Sequence, residues 1–251
     1  MYGALKICYN KPMATAKNIT ELISASERLV FMTGAGVSTP SGIPDYRSMD
    51  GIYTTSSLKK PEYLLSHRAM LHDTDDFYAF IKQLYHPEAR PNVIHRTMAK
   101  LEENHRVTVI TQNIDGLHKK AGSSDVIEFH GTLAACRCEK CGAAASAENF
   151  LKSYIHEDCG GIIRPNVVLY DESINPENIQ RAVNALSAAD TIVIAGTSFQ
   201  VFPFASLIDY ANPEAKILAV NKTPLSLPNL TASFVGDASE VFNEVFNLRK
   251  I

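Results

Sequence analysis

Apolar residues recur along this chain at two different periods, and the alternation of those periods predicts its architecture. Between Thr15 and Arg28, residues Ile19, Leu22 and Ile23 fall at helical spacing, and the segment runs directly into the apolar stretch Leu29-Val30-Phe31-Met32. Helix, strand, then the loop Thr33-Gly34-Ala35-Gly36-Val37-Ser38 is the expected order. Three further runs, at 106–111, 191–195 and 216–220, are short, apolar and rich in β-branched residues, as strands of a sheet covered on both faces should be. Helical patterns at Ile94 to Glu103, Pro176 to Ala188 and Phe204 to Tyr210 precede them. The fold class that follows is α/β, a doubly wound parallel sheet.

Two segments do not keep this rhythm. Thr54 to Pro91 is helix-like and insertional, with Asp75-Asp76-Phe77-Tyr78-Ala79-Phe80 setting aromatics at mixed spacing, and Ala134 to Gly161 carries most of the cysteines. The expected division is a discontinuous large domain over 1–53, 92–133 and 164–251, with a helical module at 54–91 and a cysteine module at 134–163 forming a second, smaller domain.

Composition narrows the classes of function. With 251 residues, 45% of them hydrophobic, the chain can bury a real core. Its 24 basic and 27 acidic residues are spread without a polybasic run, so no footprint for nucleic acid is expected. No apolar run approaches the roughly 20 residues that span a bilayer, and the first residues lack a signal-peptide pattern. The expectation is a cytoplasmic monomer without a membrane partner. Of five cysteines, Cys136, Cys138, Cys141 and Cys159 lie close together, which in a reducing compartment argues for metal ahead of disulfides, while Cys8 stands apart.

Each strand ends in polar or glycine residues, and open parallel sheets bind ligands beyond the carboxyl ends of their strands. After the first comes Gly34-Ala35-Gly36, where backbone can approach a pyrophosphate closely, continuing to Gly42-Ile43-Pro44-Asp45-Tyr46-Arg47. The hydride-transfer fingerprint would need a third glycine and, roughly 20 residues on, an acid for the adenine ribose. Here Ser38 follows Val37, and Thr54 and Thr55 stand near the acid's place, so Asn221 is the better candidate for that ribose. The turn Gln112-Asn113-Ile114-Asp115 can bind hydroxyls, an amide or a water. His130, before Gly131, is the candidate general base, and His118 competes with it from a helical context that suits packing or the surface. Cys138-x-x-Cys141 and Cys159 have zinc-knuckle spacing, with His156 or Cys136 as the fourth ligand of a structural site.

Together these residues resemble the sirtuins, NAD-dependent protein lysine deacylases, and in particular their compact bacterial-type members. The matching blocks run from about Thr33 to Asn221: Gly34 to Ser38, Gly42 to Arg47, Thr111 to His118, His130-Gly131, Arg164 to Val168, Gly196-Thr197-Ser198 and Val220-Asn221-Lys222. The resemblance implies a Rossmann-like large domain, a small domain of zinc ribbon and helices, and a cleft where NAD and an acyl-lysine peptide meet. It implies His130 and Asn113 as catalytic residues. For NAD it implies Gly34, Ala35, Gly36, Ser38, Asp45, Tyr46, Arg47, Gln112, Asn113, Asp115, Gly196, Thr197, Ser198, Asn221 and Lys222. For the substrate it implies Val167, Val168, Leu169 and Phe199, and for one structural zinc Cys138, Cys141, His156 and Cys159.

NAD is consumed in the implied reaction. The acyl oxygen attacks the nicotinamide ribose, Ser38 and Asn113 order ribose and water, and His130 activates a ribose hydroxyl, giving lysine, nicotinamide and O-acyl-ADP-ribose. The alternatives are ADP-ribosyl transfer to protein and a non-catalytic NAD-sensing or partner-binding module. Tyr170-Asp171-Glu172 stands where most sirtuins have Phe-Gly-Glu, Asn166 replaces an Asp, and Phe199-Gln200 replaces a leucine-led pair. All three departures bear on the peptide side. Ile81 stands where members that remove succinyl or malonyl carry an arginine three residues after a tyrosine, here Tyr78, so neutral acyl groups are expected.

Overall fold

The computed structural model describes residues 13–45 and 60–248. In chain order the elements are α1 (Ala16–Ser24), β1 (Arg28–Thr33), α2 (Pro61–Leu64), α3 (His67–His72), α4 (Thr74–Lys82), α5 (Val93–Leu101), β2 (Arg106–Thr111), α6 (Leu117–Lys120) and β3 (Val126–Glu128). Then follow β4 (Gly131–Cys138), β5 (Ala144–Ser146), α7 (Ala147–Lys152), β6 (Ile163–Val167), α8 (Pro176–Ala188), β7 (Thr191–Ala195), β8 (Lys216–Asn221), β9 (Leu230–Val235) and α9 (Ala238–Leu248).

Six strands form one parallel sheet in the order β3-β2-β1-β7-β8-β9. Chain connections leave β1 toward opposite edges on its two sides, so the switch point of this Rossmann-like sheet lies between β1 and β7, where a ligand crevice opens. Side chains alternate across each strand. Leu29 and Phe31 face a core closed by α1, α5 and α9, whereas Val30 and Met32 face a second core under α8 and the 3₁₀ segment Ala205–Tyr210. Capping fixes the helix starts: Thr15 and Asn18 form a capping box on α1, Asn92 and His95 another on α5, and Asn175 accepts from Glu177 ahead of Pro176.

The four expected strands and the helices at 94–103 and 176–188 are present, with small shifts of boundary. The helical pattern at 204–210 forms a 3₁₀ segment. In the large domain two strands and one helix escaped the hydrophobic pattern: β3 has only three residues, β9 mixes small and polar residues into its run, and α9 follows it. The smaller domain is built on an antiparallel sheet in the order β5-β4-β6, to which α3, α4 and α7 contribute Met70, Phe77, Ile81 and Phe150 of a third apolar cluster. Among the described residues no helix is long and apolar enough to cross a membrane.

Candidate active site

The loop after β1 and the turn after β7 touch across the switch point, and this contact explains the glycines. The Gly34 amide donates to Ala195 O at 3.2 Å and the Gly36 amide to Gly196 O at 2.8 Å. A Cβ on Gly36 would lie 2.8 Å from the Gly196 backbone, and one on Gly34 would lie 2.7 Å from Thr197 Cβ. Gly196 itself sits at φ +61° with Val37 N 2.4 Å from its missing Cβ. Both glycine amides are therefore spent on this docking, and Ala35 and Gly36 are the residues of the loop that line the cleft.

Beneath it lies a buried hydrogen-bond set centred on Ser38. Its hydroxyl donates to Asp115 Oδ2 at 2.6 Å and accepts from Asn113 Nδ2 at 3.0 Å, with His95 Nε2 at 3.5 Å. His95 Nδ1 faces the Asn92 amide, which can only donate, so the proton sits on Nε2, directed at Ser38. One donor and two lone pairs are thereby used, so the hydroxyl expected to order the ribose is engaged within the protein. It orients Asn113. Asn113 Nδ2 spends its two hydrogens on Ser38 and on Gly34 O at 3.1 Å, leaving Oδ1 as the function available to a ligand. Asp115 Oδ1 accepts from the Leu117 amide at 2.8 Å.

Sequence reasoning missed His95, although a histidine on the apolar face of α5 among Ile94, Met98 and Leu101 was the available signal. Its ring lies 4.7 Å from that of His118, which is buried and bonded to Thr33 Oγ1 at 3.0 Å, so His118 packs and does not reach the surface. Burial holds His95 down to about 4 against the opposing pull of Asp115, and drives His118 well below the ordinary imidazole value.

A cleft of about 940 Å³ runs along the carboxyl ends of the strands. Ala35, Gly36, Asp45, Gln112, Asn113, His130, Gly196, Thr197, Ser198, Asn221 and Lys222 line it, as do Val167, Val168 and Leu169 on the side of the small sheet. Asp115 and Ser38 border a small adjoining cavity with Ala35 and Asn113. Tyr46 and Arg47 lie outside the described residues. Phe199 does not line the cleft: at φ +55° its backbone turns the ring into the core against Phe204, 6.0 Å away, and Val201, Phe202 and Pro203 take the exposed place. Asp171 sits at φ +73°, at the third position of a tight turn closed by the Glu172 amide on Leu169 O, the kind of place that favours glycine.

His130 Nδ1 lies 3.3 Å from Gln112 O. A carbonyl only accepts, so Nδ1 carries the proton and Nε2 the lone pair. Burial lowers the pKa of this imidazole and the Gln112 carbonyl opposes the shift, so the ring is neutral at pH 7. Two buried amide nitrogens on the cleft wall, Gln112 Nε2 and Asn221 Nδ2, have no partner, while their oxygens are held by Thr197 Oγ1 at 2.9 Å and by the Thr197 amide at 2.8 Å. Orphaned donors in a ligand-sized cleft fit a molecule rich in hydroxyl and phosphate oxygens, as a dinucleotide is.

In the small domain the ligand atoms of Cys138, Cys141, His156 and Cys159 all lie within 4.8 Å of one another. Cys138 and Cys159 sulfurs are 3.5 Å apart, and His156 Nδ1 is 3.5 Å from Cys141 and 3.2 Å from Cys159. Tetrahedral zinc with thiolates at about 2.3 Å needs sulfurs separated by about 3.8 Å, so the donor set fits zinc closely. With four protein ligands and no open position, such a site is structural. The exposed Asp158 carboxylate lies 3.7 Å from His156 Nε2, beyond hydrogen-bond distance. Of the two candidates for fourth ligand, His156 joins the group. Cys136 is buried beside the Tyr85 hydroxyl at 3.6 Å.

Residues 34–203 match the model of the Sir2 family. The chain belongs to that family. A relative of this Sir2 chain, an NAD-dependent protein deacetylase of Listeria innocua, is 52% identical over 229 residues, covering 91% of this chain and 99% of its own. Among solved structures, a Sir2 homolog in complex with NAD superposes with a TM-score of 0.85 at 33% identity, covering 96% of this chain and 97% of its own. A Sir2 structure holding 2′-O-acetyl-ADP-ribose and a deacetylated peptide gives 0.79 at 31% identity, covering 94% and 99%.

Proposed function

We propose that this Sir2-family chain is an NAD-dependent protein lysine deacylase that removes acetyl or another neutral acyl group, releasing nicotinamide and O-acyl-ADP-ribose. The observation that carries the reading is the pairing, in one cleft, of a neutral His130 whose lone pair sits on Nε2 with Asn113 offering Oδ1. NAD supplies the leaving nicotinamide, the ribose carbon that the acyl oxygen attacks, and the ribose hydroxyl that receives the acyl group. Gln112 and Asn221 donate from the cleft wall to its oxygens. Asn113 accepts from a ribose hydroxyl or a bound water. His130 takes a hydroxyl proton at Nε2, and the Gln112 carbonyl on Nδ1–H steadies the cation that forms. The loop at Val167, Val168 and Leu169 receives the acyl-lysine peptide.

The expectation of a neutral acyl group gains support from the small domain. Ile81 is fully buried in the apolar cluster there, and the Tyr78 hydroxyl is engaged by Phe150 O, so neither offers a partner for an acyl carboxylate.

The test incubates the protein with NAD and an acetyl-lysine peptide and follows nicotinamide release against loss of acetyl. Release in proportion to acetyl loss, dependent on both substrates, is the expected result. A peptide that gains ADP-ribose and keeps its acetyl group would overturn the reading in favour of ADP-ribosyl transfer.

A further inference from the structure

Among the described residues the largest fully buried side chain is Arg164, to which the reaction as described above gives no role. All five of its N–H groups have acceptors. Nε donates to Pro165 O at 3.2 Å, and Nη2 donates to Val167 O at 2.6 Å and to Glu172 Oε2 at 2.9 Å. Nη1 donates to Glu172 Oε1 at 2.5 Å and to Glu139 Oε1 at 3.2 Å. Four of these acceptors belong to the segment 165–172, most of which lines the cleft. The fifth, Glu139, directly follows Cys138 of the zinc-fitting group.

The loop is wrapped around this guanidinium. Glu172 Oε2 also accepts from the Leu169 amide at 2.9 Å, which closes the tight turn from inside. On the outer side the Tyr170 amide donates to Leu65 O at 3.0 Å and the His67 amide to Tyr170 O at 3.0 Å, so the loop is gripped from both directions. Burial works against the charged form of Glu172, yet its bonds to Arg164 and to the Leu169 amide hold its carboxyl below the ordinary value. A fork this fully engaged fixes geometry in a way that a point charge on a flexible stem cannot.

We propose that Arg164 is a positioning residue for the peptide substrate, and that through Glu139 it ties the shape of the 167–172 loop to the metal-bound form of the cysteine knuckle. The inference rests on the reading of the cleft as an acyl-peptide site. It predicts that the knuckle affects peptide recognition while NAD recognition stays as it is.

Glu139→Ala removes the tie to the knuckle, together with the Glu139 contact to Arg137 Nη2 at 3.3 Å, and leaves the buried pair of Arg164 with Glu172 intact. The expected result is an acetyl-peptide KM raised about fivefold, an NAD KM within about twofold of wild type, and undiminished zinc content. Arg164→Lys, which keeps the charge but not the fork, raises the peptide KM further. Hydrogen exchange at the Leu169 and Tyr170 amides provides a readout independent of turnover. Those amides lose protection in Glu139→Ala, and in wild-type protein when a chelator removes zinc. A Glu139→Ala variant with wild-type peptide KM and wild-type protection would overturn the proposal. So would chelation that opens the knuckle amides and leaves Leu169 and Tyr170 protected, or an NAD KM that rises by the same factor as the peptide KM. A wild-type protein that turns over no acyl peptide would remove the reading of the cleft, while the exchange data would still decide whether the tie exists.

Discussion

The two stacked imidazoles under the nucleotide loop make acid stability a sharp test of the buried network. His95 is fully buried between Ser38, Asp115, Arg96 and the ring of His118, and its pKa lies at about 4 against 6.5 in an exposed chain. A folded-state pKa below the unfolded one means that acid protonates the unfolded chain first. Stability is therefore complete above pH 6.5 and is lost as pH falls toward 4. At 1.36 kcal/mol per unit the full loss from this one ring is about 3 kcal/mol, of which about 2 kcal/mol is already gone at pH 5. For a chain of this length that lowers Tm by about 4–8 °C between pH 7.5 and 5, and His118 adds to it in the same direction.

Protonation of the cysteine knuckle also destabilises in acid, so the readout is the difference between wild type and His95→Gln, which share the knuckle. Glutamine keeps a donor for Ser38 and does not titrate in this range. Thermal melts from pH 7.5 to 5 should give a flatter dependence in the variant, by about 2 kcal/mol at the acid end. Parallel curves for the two proteins would refute the assignment of a buried neutral His95.

Three further outcomes are expected. His130→Ala lowers turnover by about 10²–10⁴-fold while an NAD titration changes little; because burial depresses the imidazole, the wild-type rate falls off only below pH 6.5, and an acid limb centred above that value would contradict the environment described. Metal analysis should find about one zinc per chain, lost with general destabilisation in Cys141→Ser and kept in Cys136→Ser, whereas zinc kept in His156→Ala and lost in Cys136→Ser would reverse the choice of fourth ligand. Gly196→Ala puts a methyl group 2.4 Å from Val37 N at φ +61°, which should cost about 3 kcal/mol in a melt and weaken NAD at least about tenfold in a titration; a variant of normal stability would show that the loops do not dock as described.

Much of this molecule was legible in its sequence because strands of a doubly covered sheet announce themselves as short apolar runs, and their polar ends announce the crevice. Gln112, Asn113, His130 and Asn221 each follow such a run, which is enough to place them at the crevice, and His156 stood among the metal candidates by spacing alone. Roles that depend on direction could not be read. Ser38 looks like a ligand contact until its hydroxyl is found filled by Asp115, Asn113 and His95, partners as much as 77 residues away. Phe199 occupies a family substrate position, but a left-handed backbone turns its ring into the core. Arg164 sat in a recognised motif, yet its link to Glu139 appears only when β4 and β6 pair.

The central claim is that the acyl group leaves lysine for the ribose of NAD, and an isotopically labelled acetyl-lysine peptide tests it most directly. Mass spectrometry of the nucleotide products after turnover should find the labelled acetyl on ADP-ribose, in one-to-one ratio with nicotinamide, and an unlabelled lysine peptide. Label recovered as free acetate from the first turnover, or retained on a peptide that has gained ADP-ribose, would contradict it.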